Sequence, residues 1–274
     1  ASRRGIGRDA RMRTDMDFRS LPRMGAALLL TVLAAACTGN IRPDVVKQAS
    51  AAVTPAEGTP IAHSAAPVEA ALGEGQSGFR LLTLNTNGLL SRVVLADKAT
   101  QSIDLQTYIY QNDDTGRLVA QSLLKAADRG VRVRILVDDI TKDADSARLL
   151  EAMDAHENIE VRWFNPFNSR NPGALTKAAQ MLLDFRRLNR RMHNKSFIVD
   201  NRVAIVGGRN IGDDYFDASG ENNFRDLDLL AVGPVVRAAS GAFDGYWNDQ
   251  ATFPAAKWQG AKTAPADLQK MRGE

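Results

Sequence analysis

The stretch Arg190 to Phe216, RRMHNKSFIVDNRVAIVGGRNIGDDYF, places His193 two residues before Lys195 and closes a run of β-formers with Gly207, Gly208, Arg209 and Asn210. Of the three histidines in the chain, only His193 has a lysine two positions on. Along a strand starting at Met192, residues i and i+2 project from one face, so imidazole and ammonium can converge on one small anion. Asp200 has the opposite parity and falls where the strand turns, which suits pairing beneath the site rather than touching substrate. The returning strand ends in Gly207 and Gly208, where a missing side chain lets backbone approach a ligand. Asn210 adds an amide able to donate to an oxyanion.

Imidazole as nucleophile or general acid, ammonium as anion clamp and amide as a further donor suit phosphoryl chemistry without a metal. A phosphodiester needs an attacking group, stabilisation of its non-bridging oxygens and a proton for the leaving alcohol. One histidine does not serve comfortably as both the first and the last. No acidic cluster of metal-ligand type accompanies His193, so neither metal nor cofactor is expected. The basic run RRLNRR, Arg186 to Arg191, reads either as a phosphate track ending beside His193 or as a solvated face.

The spacing His-x-Lys-x4-Asp resembles the phospholipase D superfamily. FNPFNSR, RLNRRMHNKSFIVD, VGGRNIGDDYF and DLDLLAVGPVV resemble its cardiolipin synthase C-like branch, over about Phe79 to Trp247. The resemblance implies an α/β fold with a mixed, largely parallel sheet flanked by helices, one half of a two-lobed architecture. It makes His193 a phosphohistidine nucleophile, Lys195 and Asn210 phosphate-oxygen donors, and Asp200 a structural partner. Asp226 matches the acid that orients the histidine, with Asp228 as the alternative alignment, and Gly208 stands where many relatives have serine. Arg191, Gly207 and Gly208 are expected to line the substrate. Members of this branch carry the motif twice, whereas neither His63 nor His156 completes a second copy. A homodimer or a missing C-terminal half would supply it. The resemblance implies phosphatidyl transfer between glycerophospholipids. The alternatives are a single-motif homodimeric nuclease and an inactive half acting as a membrane-tethered scaffold.

The elements that must position these groups are readable by period. SIDLQTYIYQ alternates as a strand with Ile103, Leu105, Thr107 and Ile109 on one side. TGRLVAQSLLKAADRG predicts an amphipathic helix starting after Asp114 or Thr115 and stopping at Gly130. VRVRILVDD is a strand, Ala144 to His156 a helix and IEVRWF a strand, so this alternation predicts parallel pairing. His156 falls in a last helical turn, a structural position. NGLLSRVVLADKAT predicts a helix buried through Leu89, Val93 and Ala96. Ala174 to Leu188 predicts a core-facing helix bearing Leu175, Leu182, Leu183 and Phe185. LDLLAV is a further strand and PVVRAASGAFDGYW the closing helix.

A hydrophobic content of 44% is enough for a sizeable core, and a net charge of +3 is only mildly basic, arginines before Gly25 accounting for much of it. The single cysteine, Cys37, excludes an internal disulfide. It follows the basic Arg19 and Arg23 and an apolar run from Gly25 to Ala36, too short to span a bilayer comfortably. Small residues before the cysteine resemble the bacterial lipobox, with a plain signal peptide as the alternative. Residues 1–37 are then a leader, 38–78 an Ala/Pro-rich flexible tether carrying a solvated His63, 79–255 the catalytic domain and 256–274 a tail. The expected location is the bacterial cell envelope, as a periplasm-facing lipoprotein. With Thr38 rather than aspartate after the cysteine, the outer membrane is favoured. Phospholipid and membrane are the expected partners, not nucleic acid.

Overall fold

Three strands buried along almost their whole length form the middle of the molecule: β2 (Ser102–Thr107), β3 (Arg132–Asp138) and β4 (Ile159–Phe164). They pair in parallel, and helices α3 (Asp114–Asp128) and α4 (Ala144–Met153) make the crossovers, as the alternation predicts. Helix α3 starts where the Asp113 side chain accepts from the Gly116 N–H, and it stops before Gly130, which takes φ 90°. The computed structural model describes residues 45–140, 144–167 and 173–257, together with 268, 269 and 272. Cys37 and the rest of the expected leader lie outside the described residues.

The remaining strands are antiparallel. β5 (Ser196–Val199) adds to β2 and folds back on β6 (Val203–Gly207), which pairs with β7 (Asp228–Val232) and then β1 (Gly78–Leu82). β8 (Thr252–Pro254) closes the other edge on β4. Among the described residues the sheet order is β1-β7-β6-β5-β2-β3-β4-β8. The α/β architecture with flanking helices stands, but the expectation of a largely parallel sheet is corrected: among the described strands, parallel pairing is confined to β2–β3–β4. The reason is local. Asp200 and Asn201 take φ 51° and 49°, and the Arg202 N–H donates to the Val199 carbonyl, a tight turn that only antiparallel strands can use.

The sheet separates two apolar layers. Ile103, Leu105, Ile135, Val161, Phe197 and Ile205 face α2 (Asn85–Lys98), α3 and α4, while Leu136, Ile198 and Ala204 face α7 (Pro234–Trp247) through Val236, Phe243 and Trp247. Arg134 crosses the second layer with both terminal nitrogens engaged. It holds Asp104 through two contacts of 2.7 Å, reaches Asp244 at 2.7 Å, and lies 4.7 Å from the Phe243 ring centroid.

Three expectations fail here, one of them only in part. The described part of the supposed tether is built into the body. Arg162 and Arg134 donate to the carbonyls of Gln48 and Ser50, and the Ala52 N–H donates to Asp244. Thr59 then caps α1 (Pro60–Ala70), which buries Ile61, Ala62 and Ala65 and leaves His63 exposed. The order comes from distant arginines, which low local hydrophobicity does not reveal. Helix α2 buries Ala96 and packs Leu89 against the core as expected, but it also buries Asn85, Gly88 and Arg92, because Arg92 pairs with Asp228 and Asn85 with Arg209. The third failure is the stretch after β4, which forms α5 (Ala174–Leu183) and a short α6 (Phe185–Leu188) with Leu175, Leu182, Leu183 and Phe185 all exposed. His156 lies beyond α4, within 3.1 Å of Asp128, and accepts from the Asn158 N–H.

Candidate functional site

His193 and Lys195 lie in an extended lead-in before β5, which begins at Ser196 rather than at Met192. Two strand ends suspend this lead-in. The Met192 N–H donates to Asp138 at the end of β3, and Asn165 just past β4 donates to the carbonyls of Arg187 and Arg190. Met192 itself is fully buried. The segment therefore has little freedom, and the site sits at the carboxyl ends of the three parallel strands, where α/β sheets bind ligands.

The two side chains still converge, around a residue that sequence reasoning missed. Tyr108, one step past β2, packs its ring against His193 at 4.8 Å between centroids. Lys195 Nζ lies 5.3 Å from the same ring centroid and donates to the His193 carbonyl at 2.8 Å. His193 is exposed while Lys195 is only 6% exposed. Burial pushes the Lys195 ammonium below its ordinary value, and the nearby Asp226 carboxylate opposes that shift. Burial also raises the Tyr108 phenol, with Asp138 adding to the effect. The only sequence trace of Tyr108 is an aromatic where a strand ends, too common to single out.

Asn210 is buried at the exit of β6, and its Oδ1 accepts from the Ile109 N–H at 3.0 Å and from the Thr107 hydroxyl at 3.3 Å. Fixing the oxygen leaves Nδ2 as the group that can donate outward, the role expected of it. Both residues flank Tyr108, so histidine, lysine and asparagine are all referenced to one short stretch after β2.

The glycines act differently from the expectation. A β-carbon on Gly207 would lie 2.1 Å from Asp228 Oδ1, and one on Gly208 would lie 2.2 Å from Asp226 Oδ1. Their N–H groups donate to the Lys195 and Leu227 carbonyls. They make room for the carboxylates of the neighbouring strand rather than for a ligand. Those carboxylates separate in role. Asp228 is fully buried and pairs with Arg92 at 2.9 Å and Arg209 at 3.3 Å, while Arg209 also grips Asn85 and the Leu82 carbonyl. Asp226 is partly exposed, and its carboxylate favours the charged form of Lys195 against the effect of burial.

Two further candidates move out of the site. Asp200 lies at the far end of β5, where its carboxylate accepts the N–H groups of Thr100, Gln101 and Ser102 and ties down the start of β2. Arg191 donates to Asp138 and to the Asn165 carbonyl and is 12% exposed, a brace rather than a substrate contact. Arg187 is likewise bound to Asp184 and Asn165. The basic run therefore keeps Arg186 and Arg190 exposed and loses its other two arginines to the loop beneath, which breaks a continuous phosphate track.

The sequence family described as "Cardiolipin synthase, PLD-like domain" matches residues 93–247, more than half of the 274 residues. Cardiolipin synthase C of Escherichia coli K12 is 48% identical over 181 residues, covering 66% of this chain and 37% of that protein. An uncharacterized protein of Helicobacter pylori J99 is 47% identical over 174 residues, covering 64% of this chain and 34% of its own length. The chain thus spans about a third of the length of the curated relatives it matches. Among solved structures, NucT from Helicobacter pylori aligns with a TM-score of 0.47 at 16% identity, over 65% of this chain and 98% of that one.

Proposed function

Because the chain belongs to the cardiolipin synthase family of phospholipase D-like domains, we propose that it carries out phosphatidyl transfer between glycerophospholipids through His193. The observation behind this reading is an exposed imidazole braced on Tyr108, beside a buried ammonium whose nitrogen points back to the same residue. An imidazole nitrogen of His193 attacks phosphorus, a P–N bond forms and the P–O bond to the leaving alcohol breaks, with a proton delivered to that alcohol. A second alcohol, such as the hydroxyl of another glycerophospholipid, then attacks phosphorus and restores free His193. Lys195 and the Asn210 amide hold the charge on the non-bridging oxygens, and Asp226 acts on Lys195 and His193 from the segment just before β7.

The proton for the leaving alcohol comes from a second motif in this reading, on another lobe facing His193. Phe224, Leu227 and Leu229 are exposed to either side of Asp226, and Leu81 lies opposite Leu229 in the sheet. That apolar surface suits a docked lobe, from a second copy or from further polypeptide. A lipid anchor at Cys37 would hold the whole at its substrate, with outer-membrane placement in the bacterial envelope.

Transfer is tested with vesicles of labelled phosphatidylglycerol, reading cardiolipin and phosphatidic acid as products. Activity that survives chelator and disappears in His193→Ala with the fold intact supports the reading. Activity abolished by EDTA points to metal-dependent hydrolysis and overturns it. A folded chain that binds lipid without turnover, even when a second lobe is supplied, marks the scaffold instead.

A further inference from the structure

Helix α5 is built inside out. Leu175, Ala178, Ala179 and Leu182 recur at helical spacing along one exposed stripe, with Leu175 87% and Leu182 80% exposed. Phe185 continues the stripe into α6 at 57% exposed. On the opposite side Gln180, Met181 and Asp184 are only partly exposed. A surface helix ordinarily turns its apolar face inward, so this inversion calls for an apolar partner on the outside.

Charge narrows the partner. From Ala174 to Arg190 the one acidic residue is Asp184, and it is paired with Arg187 at 2.5 Å. Arg186 and Arg190 are exposed at the end of the stripe. Leucines flanked by free arginines match a surface with an apolar interior and anionic headgroups. At 10 residues α5 is far too short to cross a bilayer, and among the described residues no helix is long and apolar enough to do so. Its apolar stripe with cations at one end instead suits lying in the plane of the interface.

We propose that α5 and the start of α6 dock on an anionic lipid surface, burying Leu175, Leu182 and Phe185 among acyl chains with Arg186 and Arg190 on the phosphates. The helix leads directly into the segment hung from Asp138 and Asn165, so docking brings the open side of His193 to the headgroup layer. This deepens the proposed transfer by naming the surface from which substrate enters, and it rests on that reading only for the identity of the reaction.

The test uses the full chain carrying Cys37→Ser, so that a single environment-sensitive fluorophore can be attached through Leu182→Cys, Leu175→Cys or, on the exposed side of α3, Lys125→Cys. Vesicles contain phosphatidylcholine alone or phosphatidylcholine with phosphatidylglycerol, with brominated acyl chains as quencher. Because the readout is local, attachment through the leader does not mimic it. Labels at 175 and 182 should shift to the blue and be quenched on the anionic vesicles, the label at 125 should not, and Arg186→Glu with Arg190→Glu should reduce the response. The proposal is overturned if the labels at 175 and 182 stay in water on both vesicles or respond equally without phosphatidylglycerol. It is also overturned if they are already shielded in buffer alongside a doubled mass in sedimentation, which would identify a second copy as the cover. Labels left in water with ongoing transfer would sink this inference alone, and inserted labels without transfer would sink only the reaction.

Discussion

Gly208 and Asp226 share a space that only one side chain can fill: a β-carbon at 208 would lie 2.2 Å from the Asp226 carboxylate oxygen and 2.7 Å from its carbon. The position where the resemblance leads one to expect a serine hydroxyl is thereby occupied by a carboxylate from just before β7. Gly208→Ser should displace Asp226 from Lys195 and lower transfer by about tenfold or more, the usual cost of disturbing one charge-bearing partner. Pairing it with Asp226→Ala should relieve the clash without restoring activity. Folding is checked by thermal melts, and undiminished activity in Gly208→Ser would show that Asp226 has no part in the site.

Lys195 sets the alkaline limit. Burial, only partly offset by Asp226, lowers its pKa from 10.5. A clamp that must be charged is lost as pH rises through that depressed value, so kcat/KM should fall at a lower pH than an ordinary lysine would give. Stability runs the other way. In the window between the depressed value and 10.5 the unfolded chain binds more protons, so this lysine's contribution to stability rises with pH. Removing Asp226 should move the alkaline limb further down. Lys195→Arg should be severely impaired, since a planar fork does not replace a point charge at that depth.

The Arg134–Asp104 pair is the sharpest stability test. Both residues are at most 2% exposed, and Arg134 has one other carboxylate partner among the described residues, Asp244. Asp104→Ala should cost about 3 kcal/mol or more, because it strands a buried guanidinium. Arg134→Met combined with Asp104→Leu should recover most of the loss. Denaturant melts decide the matter, and a near-neutral Asp104→Ala would mean that Asp244 and the Ser50 carbonyl suffice.

Anchoring is tested at Cys37. A diacylated cysteine supplies the paired chains that firm attachment needs. Cys37→Ser should shift the protein from a detergent-requiring to a salt-sensitive membrane fraction, because helix α5 with Arg186 and Arg190 beyond it would remain as the weaker contact. A variant that still needs detergent would argue against lipidation.

What the sequence discloses is what local pattern can encode. The stop at Gly130 and the order of β2, β3 and β4 rest on residues close in sequence, whereas the cap falls at Asp113 rather than at the expected Asp114 or Thr115. The pairing of His193 with Lys195 was likewise legible, although they precede the strand rather than lying in it. Arg92 with Asp228 was not, because the partners are 136 residues apart and each looks like an ordinary surface charge. The same holds for the strap from Val45, which owes its order to Arg134 and Arg162. The leucines of α5 were read as core because period reports which residues share a face, not which way that face points. Tyr108 escaped for lack of any motif, and Asp200, expected to pair beneath the site, pairs instead with the start of β2 at the opposite end of its strand.

The central claim is that His193 is the nucleophile, and it can be separated from the need for a second lobe. A phosphodiester with a nitrophenol leaving group departs without a proton, so the first half-reaction requires only His193, Lys195 and Asn210. Rapid mixing should release a burst of nitrophenolate close to one equivalent of chain, insensitive to EDTA. Mass spectrometry after a basic quench should find an acid-labile phosphoryl adduct on the peptide holding His193, with neither burst nor adduct in His193→Ala. An adduct on another residue, or a full burst from His193→Ala, would contradict the account.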